Sequence, residues 1–265
     1  MTRETIRAFR ETDLDGALAT KEAIGWSQRR VLVEFYSRRD DSTLFVAEVN
    51  GEIAGCGGAT MFPGTPATGW VHGIVVRPEH RRAGLGARLT EAAIEWLRDR
   101  SVATVLLLAT DAGRPIYERL GFAVGERYGS FPWPGPDSAI GTSVRRMTTS
   151  DLPEVRSLDR AATGEDRSGF IESLVSSGWV TTRAGEIDSF HLACPWGGGP
   201  IVARDAASGC TMLGFARRLQ QGTSRGIGLP ETNAAAVQFL ERLGITAERH
   251  VTRMWLGTRR PGGRT

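Results

Sequence analysis

The chain has 265 residues, of which 24% are charged, 40% hydrophobic and 8% aromatic, with 33 glycines and 12 prolines. This composition excludes a disordered, collagen-like or disulfide-scaffold chain, and the length suffices for two domains with real cores. The net charge of +3 rests on arginine (Lys21 is the only lysine, as GC-rich codon usage would give), and no basic stripe with interleaved aromatics appears, so no nucleic-acid partner is expected.

In chain order, patterning predicts a strand at 4–10 and helices near 13–24 and 28–38. Strands at 43–49 and 52–60 follow, joined by Asn50-Gly51 as a hairpin turn. A strand covers 68–76, and a helix at 84–99 gathers Leu85, Leu89, Ala92, Ala93, Trp96 and Leu97 on one face. The run at 102–109 is apolar throughout, as a strand covered on both faces would be. A short helix at 111–120 and a strand at 122–131 complete a mixed α/β sheet. Three prolines and two glycines between Pro132 and Thr142 mark a join, and further helices are expected near 205–220 and 231–242.

The opening segment is too charged for a signal peptide and no apolar run approaches a membrane span, so a cytoplasmic protein without a membrane partner is expected. Cys56, Cys194 and Cys210 lack metal-ligand or disulfide spacing, and no metal is expected.

Three echoes recur in the same order. IRAFRETDL (Ile6 to Leu14) returns as VRRMTTSDL (Val144 to Leu152), NGEI (Asn50 to Ile53) as AGEI (Ala184 to Ile187), and YERLGF (Tyr117 to Phe122) as LERLGI (Leu240 to Ile245). They point to a duplicated unit of about 120–130 residues. The division expected is a first domain at 1–135 and a second at 143–258.

Chemistry concentrates in GIVVRPEHRRAGLGARL (Gly73 to Leu89), where a strand ends at Val76 and a helix opens at Gly84. Gly84 and Gly86 would let backbone N–H groups approach a ligand, and a helix N-terminus favours a pyrophosphate. Arg81 and Arg82 add positive charge beside it. An empty glycine-rich helix start is the competing reading. By period-two alternation Trp70, His72, Ile74 and Val76 would share one strand face, with His72 as its only titratable side chain.

These residues resemble the GNAT superfamily of acyl-CoA-dependent N-acyltransferases. Its signature, Arg/Gln-x-x-Gly-x-Gly/Ala at a strand-to-helix junction, is met by Arg81, Gly84 and Gly86. A flanking V-x-P and a downstream Y-x-x-x-G-F (Tyr117, Gly121, Phe122) stand in the expected order. The resemblance covers residues 4–131 and implies acetyl-CoA as co-substrate. It implies that the backbone of Ile74, Val75 and Val76 pairs with the pantetheine arm, and that Arg82, Ala83, Gly84, Leu85, Gly86 and Ala87 form the pyrophosphate loop. Tyr117 would protonate the departing thiolate. Many members carry asparagine where this chain has Thr110, whose hydroxyl could bind the cofactor or cap the next helix. His72 is a candidate general base or a satisfied core histidine; Trp26, Tyr36 and Trp70, with Phe35, are candidates for acceptor contact or for packing.

The second half keeps Asn233 but has Leu240 where the first has Tyr117, and GGGPIVARDAASGC lacks the Arg-x-x-Gly-x-Gly pattern. It resembles a degenerate GNAT-like domain, retained to wall the acceptor pocket, to stabilise the first half or to form a homodimer. Trp133, Trp179, Phe190 and Trp196 would line a cleft or fill the second core. The function expected is N-acetyl transfer from acetyl-CoA to a primary amine of a small molecule in a ternary complex. The alternatives are a protein or peptide N-acetyltransferase and a non-catalytic acyl-CoA-binding module.

Overall fold

A computed structural model describes residues 3–26, 30–132, 144–219 and 226–258. Trp133 and nearly all of the join at 132–142 lie outside them. The elements in chain order are β1 (Glu4–Ala8), α1 (Leu14–Glu22), α2 (Arg30–Ser37), β2 (Ser42–Val49), β3 (Glu52–Phe62), β4 (Ala67–Val76), α3 (Leu85–Arg98), β5 (Val102–Ala109), α4 (Arg114–Arg119) and β6 (Ala123–Phe131). They continue with β7 (Val144–Arg146), α5 (Leu152–Thr163), α6 (Ser168–Ser173), β8 (Gly178–Arg183), β9 (Glu186–Leu192), β10 (Ile201–Ala203), α7 (Ala206–Leu219), β11 (Ile227–Pro230), α8 (Ala234–Arg242) and β12 (Arg249–Gly257).

The chain forms two compact units, one of Met1–Gly125 with Thr252–Arg259, the other of Glu126–Val251 with Arg260–Thr265. The expected division at 1–135 and 143–258 is therefore crossed twice. Thr252–Gly257 of β12 completes the first unit by pairing with β5, and Tyr128–Phe131 of β6 pairs with β11 in the second. Strands pair through main-chain groups that every sequence carries, so local patterning does not name a strand's partner.

In the first unit β1 to β4 form an antiparallel meander, and β4 runs parallel to β5. The β2–β3 turn needs two left-handed residues, which Asn50 (φ 52°) and Gly51 (φ 89°) supply. On one face Leu85 and Leu89 of α3 pack on Ala47, Ala54, Ile74 and Val76. Further along, Ala93, Ile94 and Leu97 meet Val71, Val105 and Leu107. On the opposite face Ala17 of α1 packs on Val46, Cys56 and Val75. The expectation that β5 is covered on both faces is corrected: Val105 and Leu107 are buried under α3, whereas Leu108, on the other face, is 47% exposed.

A bulge in β4 corrects a second expectation. Cys56 stands opposite Val75 and Gly58 opposite His72, so Gly57 faces two residues, Gly73 and Ile74. Gly73 takes φ 65°, a conformation that glycine adopts without penalty. One extra residue reverses the alternation beyond it. Trp70, His72 and Val75 thus share the α1 face, while Ile74 and Val76 turn to α3.

The second unit has an antiparallel sheet in the order β10-β9-β8-β7. Its core around β11, α7 and α8 joins Phe131, Leu213, Ala216, Leu229, Leu240 and Ile245. Each sequence echo is a repeated local motif. Arg7 binds Asp13 through two hydrogen bonds of 2.7 and 2.8 Å, and Arg145 binds Asp151 through two of 2.8 Å. The same carboxylates accept from the backbone N–H groups of Arg10 and Thr148. In YERLGF and LERLGI a left-handed glycine ends the helix. Phe122 N–H donates to Tyr117 O and Ile245 N–H to Leu240 O, each at 3.0 Å, as in a Schellman motif.

Candidate active site

The parallel ladder between β4 and β5 runs from the Ala67–Val102 pair to the Trp70–Leu106 pair and stops. From Val71 to Val76, β4 is held on one side only, by β3. Arg77 N–H donates to Ala54 O; by antiparallel alternation the backbone groups of Val76 and Ile74 point away from β3, along the free edge. That edge has the main-chain donors and acceptors that an extended, amide-bearing arm can pair with.

The edge leads to the turn before α3. Arg82 (φ 67°) and Gly84 (φ 79°) are both left-handed, which folds the backbone into a concave loop. Arg88 N–H donates to Gly84 O, while no described group accepts from the N–H groups of Leu85, Gly86 or Ala87. The first turn of α3 carries no acidic residue. A Cβ on Gly86 would meet only ordinary contacts, Ile116 at 3.7 Å and Val76 at 3.8 Å. Packing therefore does not demand glycine there, and the open N–H groups suit a diphosphate. Arg81, Arg82 and Ala83 are exposed, and Arg81 Nε reaches Val76 O at 3.4 Å. Leu85 is buried in the core, so only its backbone faces the loop.

Tyr117 lies on α4 with its ring edge-on to Phe122 at 6.0 Å. Gly113 makes room for it: a Cβ there would stand 3.2 Å from the ring. The hydroxyl has no hydrogen-bond partner among the described residues, and burial pushes its pKa up. It is a phenol that stays protonated at neutral pH with its proton uncommitted. Thr110 acts as a cap, its Oγ1 accepting from Gly113 N–H at 3.2 Å.

His72 is half-buried between a hydroxyl and an aromatic ring. Its Nε2 is 3.0 Å from Thr60 Oγ1, and Tyr36 of α2 lies over the ring at 4.6 Å. Burial, and then the charge of Lys21, pull its pKa to about 4 against the opposing hydrogen bond with Ala59. A ring so weakly basic is a poor proton acceptor at neutral pH. Tyr36, His72 and half-buried Trp70 are brought to one face, while Trp26, 39% exposed, follows α1.

Sequence reasoning passed over Lys21. From the last turn of α1 its ammonium reaches the bulge, 3.7 Å from where a Cβ on Gly73 would lie. The available signal was its being the single lysine in an arginine-rich chain.

Among its described residues the second unit has none of this equipment. Its helix α7 follows a strand of three residues, and the N-terminus is taken by its own carboxylate: Asp205 Oδ1 accepts from Ser208 N–H at 2.9 Å. That bond, helped by Arg183, holds the Asp205 pKa at about 2, so a fixed negative charge stands where the first unit leaves free donors. Leu240 is wholly buried, and Asn233 caps α8 by accepting from Ala236 N–H at 3.2 Å. Phe190 and Trp196 are buried within this unit, and Trp179 packs at a tilt against Phe215, with ring centroids 4.8 Å apart.

Comparison with known proteins identifies related chains. The model of the GNAT acetyltransferase family matches residues 7–122, and that of a GNAT acetyltransferase domain matches residues 155–265. An uncharacterized N-acetyltransferase of Bacillus subtilis is 24% identical over 208 residues, 74% of this chain and 72% of its own length. The mycothiol acetyltransferase of Salinispora arenicola is 32% identical over 45% of this chain and 44% of its own. The glucosamine 6-phosphate N-acetyltransferase of Trypanosoma brucei brucei is 33% identical over 32% of this chain and 60% of its own. A crystal structure from Pyrococcus horikoshii described as an acetyltransferase superposes with a TM-score of 0.75 at 19% identity, covering 97% of this chain and 90% of that one. A GCN5-related N-acetyltransferase of Sphaerobacter thermophilus gives 0.63 at 18% identity, covering 98% and 96%. With both halves matched by its domain models and the whole length by its fold, the chain belongs to the GNAT family of N-acetyltransferases, as two such domains in tandem.

Proposed function

We propose that the first unit transfers an acetyl group from acetyl-CoA to a primary amine of a small molecule, by direct attack within a ternary complex. The observation that carries this reading is the free edge of β4 running into the unpaired N–H groups of α3. Ile74 and Val76 would pair with the pantetheine arm, and the loop from Arg82 to Ala87 would hold the diphosphate. The neutral amine attacks the thioester carbonyl, the carbon–sulfur bond breaks, Tyr117 gives its proton to the departing sulfur, and the proton shed by the acylated nitrogen passes through solvent to restore the phenol. Holding both reactants in one cleft supplies much of the acceleration. The names of the mycothiol and glucosamine 6-phosphate relatives support a small-molecule acceptor.

The second half of the sequence, with Asp205 in the place of an anion and Leu240 in that of the phenol, serves the first unit by carrying at its end Thr252–Gly257, which joins that unit's sheet. The strand exchange favours this stabilising role over a second active site.

Calorimetry with CoA and thiol-release assays over a broad amine panel test the reading. Tyr117→Phe should lower kcat by about 10²- to 10⁴-fold and leave acetyl-CoA affinity unchanged. Full turnover in that variant, or a protein that binds acetyl-CoA and releases no thiol with any amine, would overturn it.

A further inference from the structure

Most arginines of this chain that carry a described ion pair reach a carboxylate within 3 Å, as Arg7, Arg88, Arg145 and Arg183 do. Lys21 is different. No carboxylate among the described residues lies within ion-pair distance of its ammonium, and the residues that follow α1 (Ser27, Gln28 and Arg29) bring none in sequence. The residue is half-buried, and the ring of His72 and the buried thiol of Cys56, both neutral, are among the groups that feel its charge. Arg77, at the end of β4, adds a second cation on the same side of α1, with Nε 3.3 Å from Thr20 Oγ1 and no described carboxylate partner. A partly desolvated cation facing neutral groups is costly unless an anion joins it. The ammonium sits at the bulge, one residue before the edge on which the thioester arm would lie.

Resting on the acetyltransferase reading above, we propose that the acceptor carries a carboxylate or a phosphate close to its amine, and that Lys21 pairs with this anion to set the amine at the bulge of β4. Lys21 is a specificity residue in this scheme and moves no proton.

Paired acceptors test it: amino acids against their amides, and glucosamine 6-phosphate against glucosamine. Wild type should favour the anionic member of at least one pair. Lys21→Met should raise KM for that member about 10- to 100-fold, with kcat little changed and the neutral member unaffected. Lys21→Arg should recover part of the loss. The readout that does not need turnover uses the chain's single lysine. An amine-reactive reagent, followed by peptide mapping, labels Lys21, and N-acetylglycine or N-acetylglucosamine 6-phosphate should slow labelling where N-acetylglycinamide and N-acetylglucosamine do not. Equal kcat/KM for charged and neutral members, or an equal loss for both in Lys21→Met, overturns the inference while leaving the transferase reading intact. If wild type releases thiol with no amine, that reading fails, and labelling without anion-specific protection overturns the inference on its own.

Discussion

His72 and His191 are held neutral by the packing around them, both with pKa values drawn from 6.5 to about 4. Desolvation is the first cause in each; the bond between His191 Nδ1 and Pro200 O, 3.2 Å, opposes it. The unfolded chain takes up these protons below about pH 6.5 and the folded chain does not, so their contribution is full above that value and is lost as pH falls toward 4. For fully buried His191 the loss is on the order of 3 kcal/mol. Asp151 and Asp205, both with pKa about 2, act in the same sense but at lower pH: their stabilisation is full above about 3.8 and is lost as pH falls from there toward 2. The urea midpoint should therefore drop between pH 6.5 and 4.5, and the slope should flatten in His191→Gln. An unchanged slope would remove His191 as its cause.

At the scale of elements, the duplicated hairpin turns show a local rule kept once and broken once. Asn50 and Ala184 occupy the same left-handed position, at φ 52° and 53°, before Gly51 and Gly185. Asparagine tolerates it, and Asn50 Oδ1 also accepts from Arg3 N–H at 3.0 Å; alanine gains nothing there and is strained. Ala184→Asn or Ala184→Gly should stabilise the second unit by about 0.5–1 kcal/mol, read as a raised denaturation midpoint. Such turns, helix stops and caps were legible in the sequence because each is made by residues close along the chain. The glycine loop and Tyr117 were legible for the same reason. The β4 bulge was not: Gly73 inside an apolar run could be read as an ordinary strand residue, and one left-handed glycine moved Ile74 and Val76 to the other face. Lys21 escaped because its surroundings come from β3 and β4, distant in sequence.

For the whole molecule, the exchange of strands decides what can exist alone. A fragment ending at residue 135 keeps every residue proposed to bind acetyl-CoA, yet lacks Thr252–Gly257, which pairs with β5 from Thr104 to Ala109. It also loses Met254, a fully buried member of the core under α3. That fragment should show no cooperative thermal transition by circular dichroism and no heat with CoA, whereas the full chain shows both. A folded fragment would mean the sheet tolerates its loss. The same exchange imposes an order on biogenesis. Translation delivers the glycine loop and the phenol early, but the strand that seals their sheet emerges long afterwards, once the other unit has been made. Until then the nascent first half carries an apolar strand with one unsealed side, so a ribosome that stalls in the second half would release a chain prone to associate through that strand, and chaperone demand should track the second half's synthesis.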